Sequence, residues 1–132
     1  MPASLVKRTG AAQLVTVTRR EREHPLAEVR MSRVHGRGVF ATQAIAKNTL
    51  IVRNPVLVVD DAGEELGAYV FDWGRDRSGL SLGVISLLNH SATPNAYAMR
   101  DGLYLELYAL GAIPADGEIF IDYGPNYALE TL

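Results

Sequence analysis

Three short stretches of this chain hold the side chains that could do chemistry. The first is His35-Gly36-Arg37-Gly38-Val39-Phe40-Ala41, where two glycines one residue apart permit a tight turn and close backbone approach to a ligand. The second is Ile85-Ser86-Leu87-Leu88-Asn89-His90-Ser91-Ala92-Thr93-Pro94-Asn95, an apolar run leading into an Asn-His-Ser cluster closed by Pro94. The third is Gly117-Glu118-Ile119-Phe120-Ile121-Asp122-Tyr123-Gly124, a strand pattern ending in Asp-Tyr-Gly. Taken singly, each has a plain structural reading. Asn89 and His90 would satisfy backbone groups at a polar turn, and the third stretch is a strand followed by a turn. The first stretch also satisfies the G-x-G-x-x-G/A dinucleotide pattern, with Asp60 at a suitable distance. That reading needs a long helix after the glycines, and residues 48–59 read as β instead.

Other chemistries are excluded by residue counts. There is no cysteine, hence no disulfide framework, no thiolate zinc site and no cysteine nucleophile. The three histidines, His24, His35 and His90, include no pair at helical i, i+4 spacing, so no metal site is expected. The net charge of −2 argues against a polybasic nucleic-acid binder. The charge is unevenly spread, however. Residues 1–37 carry eight Lys/Arg against three acidic residues, net +5, and the remainder carries five against twelve, net −7. An acidic body suits a basic partner by electrostatic steering, and an ordinary solvated surface would look the same.

These stretches need elements to hold them. At 132 residues and 48% hydrophobic content the chain can bury one core. No run approaches a membrane span, so no membrane partner is expected. The absence of cysteine fits a reducing compartment, so an intracellular location is expected, cytoplasmic in a prokaryotic host or nuclear in a eukaryotic one. Met1–Arg20, basic and without acidic residues, faintly resembles an organellar transit peptide. Met1–Thr9 reads as a loose end and residues 12–19 as a strand or ordered extension, so residues 1–25 form an N-terminal extension and 26–132 the domain proper. Strands are expected at Glu28–Met31, Thr49–Val52 and Val56–Val59, the last two broken by Asn54-Pro55. Residues 65–73 read as a short helix. Tyr97–Arg100 and Leu103–Ala109 flank Asp101-Gly102, a hairpin signal, and Glu118–Tyr123 closes the series. Many short strands with turns every 8–12 residues and little helix predict a mostly β fold.

Together, in this order and spacing, Gly36-x-Gly38, Asn89-His90-Ser91-x-x-Pro94-Asn95 and Glu118–Gly124 resemble the SET domain, the protein-lysine methyltransferase module, over about Leu26 to Tyr127. The resemblance is to the minimal viral and bacterial members. It implies several small β-sheets around a C-terminal pseudoknot, S-adenosylmethionine bound on one face and a substrate lysine on the other, with no metal. Carried over by position, Gly36, Arg37 and Gly38 would offer backbone to the cofactor's methionine part. Asn89 and His90 would hold its amino and adenine groups. Tyr123 would stand beside the transferring methyl, Tyr69 would line the lysine channel, and Tyr127 would line the channel or stack on the cofactor. The substrate lid would come from Pro125–Leu132 or a second subunit, and a homodimer suits so small a catalytic unit. The partner implied is a lysine-containing basic protein or peptide, histone or other, without direct nucleic-acid binding. A catalytically silent SET-like domain that binds a basic peptide is the alternative.

Overall fold

A computed structural model describes residues 25–124 in full and, before them, the backbone of two short strands. Those two, β1 (Leu5–Arg8) and β2 (Leu14–Val17), pair antiparallel with Leu5 opposite Val17. Leu5–Arg8 is thus a strand rather than a loose end; three of the paired positions are valines, whose branched Cβ favours extended backbone.

The domain proper is built on two sheets. One has four strands in the order β3 (Ala27–Met31), β4 (Arg37–Ala41), β11 (Glu118–Ile121) and β8 (Asn89–His90). The other has five, ordered β6 (Val70–Gly74), β7 (Arg77–Ser81), β5 (Leu50–Val59), β10 (Tyr104–Ala109) and β9 (Ala96–Asp101). Between them lies one apolar core that includes Val39, Ile85, Leu88, Leu105, Leu107, Ile113, Ile119 and Ile121, all at most 2% exposed. Alternation makes this core: Leu105, Leu107 and Ala109 point inward from β10, and Ile119 and Ile121 from β11, while their neighbours face out. The expected mostly β class with little helix is what is observed. Among the described residues, no helix is long and apolar enough to cross a membrane.

Three local readings are corrected. The strand expected to break at Asn54-Pro55 runs unbroken from Leu50 to Val59. Leu50 to Pro55 pairs with β10 and Val56 to Val59 with β7, so Pro55 stands where the ladder changes partner. Its missing N–H therefore interrupts neither run of pairing. The helix expected over residues 65–73 is one turn, α1 (Gly63–Leu66), and a 3₁₀ turn, Gly67–Tyr69. After it, Phe71 and Trp73 alternate inward from β6, a period of two that a helical reading overlooks. The hairpin between β9 and β10 forms, with Asp101 opposite Tyr104, so its loop is Gly102-Leu103. Gly102 takes the positive φ there, +60°.

A buried amide holds the approach to the Asn-His-Ser segment. Asn54 Oδ1 accepts from Ser81 Oγ at 3.0 Å and from the Ile85 N–H at 3.2 Å, both buried. It thereby fixes the start of the 3₁₀ turn Val84–Leu87 that leads into β8. Asn54→Ala leaves two buried donors without an acceptor and is expected to destabilise the fold by about 2–3 kcal/mol. A urea or thermal unfolding midpoint equal to that of the parent would contradict this account.

Candidate active site

The Asn-His-Ser segment is brought to the C-terminal strand by backbone pairing. β8 lies parallel to β11, with Asn89 opposite Phe120 and His90 opposite Ile121. Asn95 continues this contact with its side chain: Nδ2 donates to the Glu118 carbonyl at 2.9 Å and Oδ1 accepts the Phe120 N–H at 2.8 Å. One amide thus satisfies two backbone groups of β11, as a neighbouring strand would. Pro94 and Asn95 are spaced from Asn89 so that the chain leaves β11 and then returns to it.

Glu118 joins this strand to the glycine turn. It pairs with Phe40 on β4, and Gly38, two residues earlier, lies on the same face. A Cβ at position 38 would overlap Glu118 Oε2 and come within 3.0 Å of Asn89 Nδ2, so only glycine lets the carboxylate lie against the strand. Glu118 Oε2 accepts from Asn89 Nδ2 at 2.8 Å, and Ser32 Oγ donates to both carboxylate oxygens at 2.8 and 3.0 Å. Asn89 Nδ2 also donates to the carbonyls of His35 and Arg37, at 3.2 and 3.1 Å. Three acceptors converge on that nitrogen, which settles the orientation of the amide: an oxygen there would face three oxygens. Ser32 Oγ in turn accepts the Val34 N–H at 2.9 Å.

This tied turn forms one wall of a cleft of about 710 Å³. The cleft is lined by Met31, Val34–Arg37, Ala68, Tyr69, Ser86–His90 and Tyr123. Gly36 has φ +49°, and a Cβ built on it meets nothing within 4 Å, so its backbone is open to a ligand. A second cleft, of about 300 Å³, is lined by Gly67–Phe71, Ile85, Ser86, Ile121 and Tyr123. The two clefts share Ala68, Tyr69, Ser86 and Tyr123. The two tyrosines therefore stand in the partition between them.

Tyr123 is held from both ends. Its hydroxyl donates to the Leu88 carbonyl and its backbone N–H donates to His90 Nδ1 at 2.8 Å. With Nδ1 accepting this bond, the neutral ring carries its hydrogen on Nε2, and His90 is among the residues that line the first cleft. The two rings lie 5.3 Å apart at 49°. Burial pushes the Tyr123 phenol above its ordinary value of 10.0, so it stays protonated throughout the physiological range.

Of the residues singled out in the sequence, Gly36, Arg37, Asn89, His90, Tyr69 and Tyr123 converge on this region. Gly38 lies behind the wall, packed on Glu118. Tyr127 and the lid segment 125–132 lie outside the described residues. Glu118 and Ser32 were not singled out. Alternation places Glu118 on the half-buried face of β11, opposite Ile119 and Ile121, so the local pattern carries no signal of its partners. Among the described residues there is no group of three or more His, Asp or Glu that could hold a metal ion.

Comparison with known proteins gives a consistent result. The model of the SET domain matches residues 36–124. A histone-lysine N-methyltransferase of Schizosaccharomyces pombe, specific for H3 lysine-37, is 34% identical over 112 residues, spanning 78% of this chain and 76% of that protein. A crystal structure of a candidate histone methyltransferase from Plasmodium falciparum is 30% identical, with a TM-score of 0.68 over 77% of this chain and 96% of that one.

Proposed function

The chain belongs to the SET-domain family of protein-lysine methyltransferases, and on that premise we propose that it methylates a lysine in a basic, histone-like protein, with S-adenosylmethionine as methyl donor. The observation that carries the reading is the pair of clefts meeting at Tyr69 and Tyr123. Two reactants that must meet in line across a partition need such an arrangement, and holding them there supplies much of the acceleration.

The larger cleft fits the donor. Its volume falls within the usual range for small-molecule sites, and it combines an open glycine backbone at Gly36 with the polar groups of Asn89 and His90. When bound, S-adenosylmethionine supplies a methyl carbon already activated by a sulfonium, so no metal or covalent nucleophile is called for. Gly36 and Arg37 would offer backbone groups to its methionine part, and Asn89 and His90 would bind its amino and adenine groups.

The smaller cleft suits the lysine. Its lining is mostly apolar, with Gly67, Ala68, Val70, Phe71, Ile85 and Ile121 beside the hydroxyl-bearing Tyr69, Ser86 and Tyr123. An apolar channel disfavours the charged ammonium and lowers the pKa of the entering lysine from about 10.4. The neutral amine is the form that attacks. Tyr123 is protonated at working pH, so it positions and polarises and does not act as an anionic base. The aromatic rings of Tyr69 and Tyr123, which line both clefts, would tolerate the cationic product. The net charge of −7 over residues 38–132 favours a substrate with basic residues around its lysine.

The test is transfer of labelled methyl from S-adenosylmethionine to core histones and to a panel of basic peptides, with the modified residue located by mass spectrometry. Label on a lysine of a basic protein, histone H3 foremost, is the expected outcome. Binding of basic peptides with no label on any of them would replace this reading by a silent binding domain.

A further inference from the structure

We infer that Glu118 is a positioning residue that makes the donor cleft selective for a ligand carrying an ammonium group. The inference rests on the reading of the larger cleft as the donor site. Asn89 lines that cleft and is only 7% exposed, so the orientation of its amide decides whether the cleft is offered a hydrogen-bond donor or an acceptor. Glu118 makes that choice. A carboxylate offers acceptors only, and its Oε2, 2.8 Å away, draws Nδ2 to itself. The His35 and Arg37 carbonyls bind the same nitrogen on the same side. In a planar amide Oδ1 then points away from all three, and none of the hydrogen bonds among the described residues uses it. An acceptor held in this way matches a cation that donates N–H bonds, and a charge-assisted bond of this kind is stronger than a neutral one.

The carbonyls alone would hold the amide less firmly, because they belong to the turn that the amide itself supports. Glu118 anchors both partners: it is fixed on β11, it binds Asn89, and through Ser32 Oγ it holds the turn at Val34. Without it, amide and turn would reorient together. The Asn89 amide could then present its nitrogen to the cleft, where it would repel an ammonium.

The experiment is calorimetric binding of two ligands, S-adenosylhomocysteine, which has the ammonium, and 5′-methylthioadenosine, which lacks the amino-acid part. They are compared in the parent, Glu118→Met, which keeps bulk and removes the acceptors, and Glu118→Gln, which restores one acceptor. The expected result for Glu118→Met is a Kd about ten-fold or more higher for S-adenosylhomocysteine and within about two-fold for methylthioadenosine. Glu118→Gln should recover most of the loss. If Glu118→Met does not fold, Glu118→Gln carries the test with a loss of about three-fold confined to S-adenosylhomocysteine. Equal weakening of both ligands would make Glu118 a merely structural residue and overturn the inference, as would no weakening at all. A parent protein that binds neither ligand would overturn the donor-site reading itself, and this inference with it.

Discussion

Tyr123→Phe is expected to lower the turnover of methyl transfer by about a hundred-fold while leaving donor affinity within about three-fold of the parent. The phenol is one of three hydroxyl-bearing side chains common to the two clefts, with Tyr69 and Ser86, and its hydroxyl is directed by the Leu88 carbonyl. Phenylalanine keeps the ring and its contact with His90 but removes the hydroxyl that fixes it in place. The reacting groups would still enter both clefts, but with a less defined mutual orientation, and turnover is the quantity that depends most on that orientation. Loss of the single hydrogen bond to Leu88 should cost only about 1 kcal/mol of stability. Initial rates, donor binding by calorimetry and an unfolding curve on the same preparations separate the three effects. A turnover near the parent's would remove Tyr123 from its proposed role, whereas an equal loss in donor affinity would make it a cofactor-binding residue instead.

Gly38→Ala is the second large effect, and it falls on stability and donor binding together. The added methyl occupies the place of Glu118 Oε2 and crowds Asn89 Nδ2. The Glu118 side chain is flexible in itself, but its carboxylate is held by Ser32 Oγ and Asn89 Nδ2, so it can withdraw only by giving up those bonds. Overpacking of this kind costs about 1–3 kcal/mol. It also breaks the carboxylate–amide contact that holds the cleft wall, so donor affinity should fall by about ten-fold or more. Gly36→Ala offers the contrast. A Cβ there meets nothing within 4 Å, and the strain comes only from φ +49°. Its unfolding midpoint should therefore fall less than that of Gly38→Ala, and the opposite order would refute the packing account.

The two glycines look alike in the sequence and play different parts in the molecule. Their spacing made both candidates for backbone approach to a ligand. Only Gly36 is open to the cleft, and Gly38 is needed by a carboxylate eighty residues away. Asn95 is a similar case. It closed a recognisable string, but its work is to bond β11 in place of a strand, a contact that depends on chain return and not on local pattern. Glu118 was visible as part of a motif but not as a functional residue, because its partners Ser32, Gly38 and Asn89 come from two other segments. The single strand through Asn54-Pro55 was equally hidden, since whether proline breaks a strand depends on which partner each half pairs with.

Composition and local order in the sequence were enough to determine the mostly β class, the absence of cysteine chemistry, and the three stretches that identify the family. These properties are carried by residue type and by short-range periodicity, which a chain displays whether or not it is folded. The tertiary structure alone decided which faces of those stretches meet. The parallel contact of β8 with β11, the burial of Asn54, the carboxylate clamp on the glycine turn and the two clefts sharing Tyr69 and Tyr123 all join residues far apart in the chain. Such contacts are selected by the packing of one shared core and by the need to pair every buried polar group, and neither condition can be evaluated one segment at a time.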